Sequence, residues 1–239
     1  MTTQILAELD EIINLLEAEI PANIQSPENQ RLEKRLQRDL ANYFKSLADA
    51  FPYDQVDQLY YKYVKEQLGS ETRDMLDPLL AAFSSDLSFR LNGFMVTAYL
   101  KGSAEMITWG RTKGGIPIAY EGPPIEQAIS YAERHCAMLV TQMDVQTKHR
   151  LAQVVSEGIK NKRGVPGLAR DIRGEFRHMR RYRAEMIART ETNDALSQAF
   201  MDRAHDMKIE GKEWVTAAPC EICAENEAEG VVPIDHVFS

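Results

Sequence analysis

Three features of this sequence predict a mainly α, elongated helical protein that ends in a small C-terminal β-hairpin carrying a cysteine knuckle. Apolar residues recur at three- and four-residue spacing through most of the chain, the rhythm of amphipathic helices. Glycine and proline interrupt that rhythm at few places, most densely between Gly110 and Pro124. After Gly211 the rhythm gives way to short β-prone runs on either side of Cys220-Glu221-Ile222-Cys223.

The elements follow in order. Ile5, Leu9, Ile12, Leu16 and Ile20 form one apolar stripe that Pro21 ends. Ser26 as N-cap and Pro27 at the first helical position open a second helix through Leu32, Leu36, Leu40, Tyr43, Phe44 and Leu47, and these two helices are expected to pair as a hairpin. A third segment carries Val56, Leu59, Tyr60, Tyr63, Val64 and Leu68 and stops at Gly69. From Ser70 a longer pattern runs through Leu76, Leu80, Phe83, Leu87, Leu91 and Phe94 to Trp109, with Gly93 and Gly102 as places to bend or split it. The aromatic residues here read as inter-helix packing, since no Lys or Arg is interleaved among them as a base-stacking surface requires.

The stretch 110–124 reads as a loop or linker that no helix runs through, so residues 1–109 form an N-terminal helical region and 125–239 a C-terminal domain. Within the latter, Ile125 to Met143 and Val145 to Lys160 are predicted as two helices. Gly158, Gly164, Pro166 and Gly167 make a turn, Leu168, Ile172 and Phe176 a short helix, and Arg180 to Met207 a long one. Trp214-Val215-Thr216 and Val231-Val232-Pro233-Ile234 are the expected strands.

At 239 residues the chain is long enough to bury a core without a disulfide framework. No apolar run approaches the roughly 20 residues that span a bilayer, so no membrane partner is expected. The start at Met1-Thr2-Thr3-Gln4 lacks the pattern of a secretory signal, and three cysteines with only two of them close together suit a reducing compartment; synthesis in a cytoplasm is expected. The net charge of −8 argues against a general nucleic-acid coat. It is unevenly spread: from Lys160 to Arg189, ten basic residues (Lys160, Lys162, Arg163, Arg170, Arg173, Arg177, Arg180, Arg181, Arg183, Arg189) face three acids (Asp171, Glu175, Glu185), a local balance of +7 (10 minus 3). Such a stretch is either a solvated helix face with internal ion pairs or the contact for an anionic neighbour.

Cys220 and Cys223 have the spacing that brings two thiolates to one metal ion, but tetrahedral zinc needs four ligands and His236 is the nearest other candidate. Metal binding in a longer or partnered form, a redox pair, and purely structural thiols all remain open for them. In Ile187-Ala188-Arg189-Thr190-Glu191-Thr192, helical spacing puts Arg189 with Asn193 and Glu191 with Ala195, which favours a structural tie between the helix and its neighbours. The five histidines form no His-x-x-x-His pair, and Gly110 to Gly115 lacks the frame of a phosphate loop.

Taken in order, the helix-turn-helix around Val155 to Phe176, the Ile187 to Thr192 signature, Trp214, Cys220-x-x-Cys223, Gly230, Val232-Pro233 and Phe238 resemble the phage Mu F-like head-morphogenesis family of minor head proteins, over the chain from about Ile125 onward. The resemblance implies a structural protein, not an enzyme, made in the bacterial host cytoplasm and then carried in the virion interior near the portal vertex. It implies association with the portal protein, with major capsid or scaffold proteins and packaged double-stranded DNA as further partners, and an effect on head assembly and DNA packaging or ejection. Arg189, Thr190, Glu191, Trp214, Gly230 and Phe238 become structural motif positions, and the basic stretch from Lys160 to Arg183 a DNA or portal contact. Family members continue past the Phe with a Pro-rich stretch and a His-Pro-x-Cys-x-Cys ending that would complete the ligands of Cys220 and Cys223. This sequence ends at Ser239 without it, as a truncated or shortened form, so zinc is expected only in a longer form. Two other readings compete: an enzyme or toxin-type domain using Arg189, Glu191 and His205 or the cysteine pair, which needs a pocket joining those groups, and a nucleic-acid-binding helix-turn-helix near Leu168 to Arg189.

Overall fold

Ser26 opens the first helix through its side chain. Its hydroxyl accepts the N–H of Asn29 at 3.1 Å, Pro27 fills the first turn where no N–H is needed, and α1 runs Pro27–Ala50. The computed structural model describes residues 26–56, 58, 71–116, 123–216 and 219–238. The expected helix over Ile5 to Ile20, its pairing with α1, and most of the Val56 to Leu68 segment lie outside these residues. Leu36, Leu40, Tyr43, Phe44 and Leu47 are buried along one face of α1, and Pro52 follows its end.

Helix α2 spans Glu71–Thr112 without a break at Gly93 or Gly102. Each glycine costs about 1 kcal/mol in a helix. Burial of Leu91, Met95, Ala98, Tyr99 and Met106 around them, at about 1.5–3 kcal/mol for each large side chain, outweighs that. The helix also passes Gly110, expected in the loop, and runs to Thr112. It ends where Lys113 and Gly114 N–H both reach the Trp109 carbonyl and Gly115 takes a left-handed φ of 59°.

The two helices expected over Ile125 to Lys160 are one, α3 (Ile125–Lys160). Nothing between Met143 and Val145 breaks a helix, and Asp144 at that junction accepts from Ser84 (2.7 Å) and Tyr43 (3.2 Å). Its C-terminus closes with the Arg163 N–H on the Gly158 carbonyl and Lys162 in the left-handed region at φ 54°. Helix α4 (Val165–His178) turns back against it. Gly158 permits that approach, because a Cβ there would lie 2.7 Å from Leu168 Cδ1. Helix α4 then passes through a single π turn, Met179–Arg183, directly into α5 (Ala184–Asp206).

The C-terminal strands are shorter than expected and shifted. β1 is Gly211–Lys212 and β2 is Val232–Pro233, antiparallel, with Gly211 opposite Pro233; Trp214 to Thr216 is not a strand. Pro233 has no N–H to extend the ladder, and the pairing closes instead with Ile234 N–H on Glu210 O at 2.8 Å. Cys220 stands at the N-terminal boundary of a further helix, α6 (Glu221–Ala228), rather than on a plain turn, and Gly230 reverses the chain after it at φ 67°.

The fold is mainly α with a small C-terminal hairpin. The described residues fall into two compact units. The larger, from Asn23–Leu100 and Pro124–Leu196, has a core of Leu36, Leu40 and Phe44 on α1, Leu80, Leu91 and Met95 on α2, Leu139, Met143 and Leu151 on α3, Leu168, Ile172 and Phe176 on α4, and Ala184, Ala188 and Ala195 on α5. The smaller, from Lys101–Pro123 and Ser197–Ser239, buries Met106, Trp109 and Ala204 against Phe200, Ile209 and Ile234.

Candidate functional site

The basic stretch winds along the α3–α4 turn, α4 and the π turn. Lys160, Lys162, Arg163, Arg170, Arg173, Arg177, Arg180 and Arg181 are exposed. Three of them are engaged: Arg163 pairs with Asp171 at 3.3 Å, the Arg173 guanidinium lies 4.2 Å over the Tyr53 ring, and that of Arg181 lies 5.3 Å over the Tyr182 ring. Lys160, Lys162, Arg170, Arg177, Arg180 and Arg181 have no acidic partner among the described residues.

Arg183 departs from the set. Expected as part of a DNA or portal contact, it is only 2% exposed and points inward. Its guanidinium donates to Thr147 Oγ1 (2.8 Å), Gln146 Oε1 (3.0 Å) and the Met143 carbonyl (3.2 Å), and lies 5.3 Å from the Phe44 ring centroid. Burial, with Arg150 nearby, pulls its pKa down to about 10, so it keeps its charge at neutral pH. The π turn that contains it widens the helix at this point, a local change that sequence periodicity does not signal.

On α5 the Ile187 to Thr192 signature splits in pairs. Ile187, Ala188, Glu191 and Thr192 are buried, while Arg189 and Thr190 are exposed. Arg189 reaches Glu33 at 3.6 Å and Glu185 at 3.5 Å on the outside. Thr192 donates to the Ala188 carbonyl at 2.7 Å. Glu191, 8% exposed, meets His135 Nε2 of α3 at 2.5 Å. Burial raises the Glu191 pKa, and the histidine works against that shift. The His135 ring is stacked on Tyr131 (centroids 5.2 Å, 17° between planes), which in turn packs against Tyr99. Neighbouring Cys136 is buried, and burial followed by the Glu191 charge pushes its thiol up to about 12.

Arg189 and Glu191 do not converge on one site. Arg189 faces outward, Glu191 inward to His135, and His205 pairs with Asp235 at 3.2 Å. Sequence reasoning missed His135 and Tyr131, because 56 positions separate His135 from Glu191 and only the packing of α3 on α5 joins them.

Motif residues do meet in the C-terminal module. Trp214 and Phe238 are edge-to-face at 5.3 Å, Lys212 Nζ lies 5.6 Å over the Phe238 ring, and His236 stacks edge-on against the same ring at 5.1 Å. The backbone N–H of Cys223 and then its thiol stabilise the Cys220 thiolate and lower its pKa, while that of Cys223 is raised by the same contact. His236, the nearest other ligand candidate, has its Nε2 2.8 Å from a Glu229 carboxylate oxygen, and neither cysteine belongs to a cluster of three or more metal-ligating groups among the described residues. No protein-family model, no curated protein and no solved structure matches this chain.

Proposed function

We propose that this chain is a phage head-morphogenesis protein that associates with the portal during procapsid assembly and acts by contact rather than by catalysis. The observation that carries the reading is the convergence of two motif positions: Trp214 and Phe238, on either side of α6, pack edge to face in one module held by β1 and β2. An ordered motif whose members support one another physically is a packing signature rather than a chance string. Val215, Ile222, Val231 and Val237 are exposed on the same module, and the reading assigns them to the portal contact. The exposed arginines of α4 and the π turn supply the anion-facing side of the reading, for packaged DNA or an acidic portal surface.

Co-expression with the portal protein of the same phage locus, followed by size-exclusion and mass determination, tests the reading. A stable complex is expected, weakened when Val231 and Val237 are changed to Asp. A well-behaved monomer that never co-elutes with the portal overturns it.

A further inference from the structure

We propose that His135, Glu191 and Asp194 form a binding site for a divalent first-row transition ion of the zinc, cobalt or manganese class. One ligand atom from each residue lies within 4.8 Å of the other two. Ligand bonds of about 2.0–2.2 Å place the ligand atoms of one tetrahedral ion about 3.3–3.6 Å apart, so a modest side-chain adjustment brings all three onto a common centre. Glu191 and Asp194 stand three positions apart on α5 and so share a helix face; His135 comes from α3. Carboxylates and histidines projecting inward from facing helices are how helical bundles build metal centres.

The surroundings favour an ion over a bare hydrogen bond. Tyr131 stacks flat on His135 and fixes the ring with Nε2 toward Glu191. Glu191 is a carboxylate in a poorly solvated position, with one histidine in reach and a second carboxylate, Asp194, raising its pKa further. A dication matches the charge of the two carboxylates and leaves the imidazole neutral. Asp194 is exposed, so the site opens to solvent and keeps coordination positions for water. The nitrogen ligand selects against magnesium and calcium, which take oxygen donors.

The site does not depend on the head-protein reading. Its test uses the full chain without an affinity tag, carrying Cys220→Ser and Cys223→Ser so that the C-terminal thiols bind nothing. Cobalt is titrated by its visible absorption and zinc by calorimetry. One equivalent should bind with the intensity of a low-coordinate cobalt site, and excess magnesium should not displace it. Asp194→Asn, at an exposed position that leaves helical circular dichroism unchanged, should weaken binding more than tenfold, given that even outer-sphere partners are worth about 10–100-fold. His135→Gln should abolish it. No saturable binding, or binding of unchanged affinity in Asp194→Asn, overturns the proposal; the second result would place the ion on another histidine or leave His135–Glu191 as a simple structural pair.

Discussion

If the exposed arginines of α4 and the π turn contact duplex DNA, the salt dependence of binding counts them. Each neutralised phosphate contributes about −0.9 to the slope of log K against log salt. Arg170, Arg177, Arg180 and Arg181 are exposed and without an acidic partner among the described residues, so four contacts predict a slope of about −3.6. Raising salt from about 50 to about 200 mM should then cost about 150-fold in affinity. Arg177→Ala with Arg181→Ala should halve the slope to about −1.8 and reduce that loss to about 12-fold. Fluorescence anisotropy of a labelled short duplex, read at several salt concentrations, measures both. The buried Arg183 is the internal control: Arg183→Gln should cost about 1–3 kcal/mol of stability through its lost hydrogen bonds and leave the slope unchanged. A slope that does not change in the double variant, or that falls in Arg183→Gln while the protein stays folded, refutes this assignment of the surface.

Two further outcomes follow from local geometry. Lys208 closes α5 in the left-handed region at φ 58°, with Ile209 N–H on the Ala204 carbonyl at 3.0 Å; Lys208→Gly should therefore raise stability by about 0.5–1 kcal/mol in urea unfolding, and a neutral or destabilising result would mean that this cap does not form. Alkylation followed by mass spectrometry should label Cys220 first, increasingly so as pH is lowered toward neutrality because its pKa is depressed, and should reach the buried Cys136 only after denaturation; early labelling of Cys136 would contradict its burial beside Glu191.

Much of the helical frame was legible because its signals are local. Ser26 and Pro27 announce α1, and the Leu36 to Leu47 stripe that periodicity picked out is the buried one. Helix continuity was harder, since a glycine in isolation argues for a break and only the burial on both sides of Gly93 and Gly102 shows that it is outweighed. The same holds at Met143 to Val145, where one buried stripe runs on from Leu139 and Met143 through Thr147 and Leu151 in a single helix. The inward turn of Arg183 was not legible, because arginine in a basic run reads as solvent-facing and a π turn leaves no compositional trace. For the C-terminal module the sequence located the residues that meet, and the structure moved the strands and put α6 directly after Cys220.

The pairing of Glu191 with His135 becomes intelligible from the rhythm of α5. Burial there comes in couples four residues apart: Arg183 and Ala184, Ile187 and Ala188, Glu191 and Thr192, Ala195 and Leu196. A four-residue repeat outruns the 3.6-residue turn, so the buried stripe drifts by about 40° per step around the helix. Each couple therefore meets a different part of its surroundings, and apolar residues fill most of them. At Glu191 and Thr192 the same rhythm carries two polar side chains into the interior. Thr192 is satisfied within the helix by the Ala188 carbonyl, which leaves the carboxylate as the one charge of this couple that needs an outside partner. An unpaired buried carboxylate costs several kcal/mol, more than the surrounding alanines offset. His135, pinned by Tyr131 on the facing helix, is thus what allows an acid to stand in this motif at all. An alanine in its place would fill the same position without that cost, so the acid is explained by what it binds rather than by how it packs.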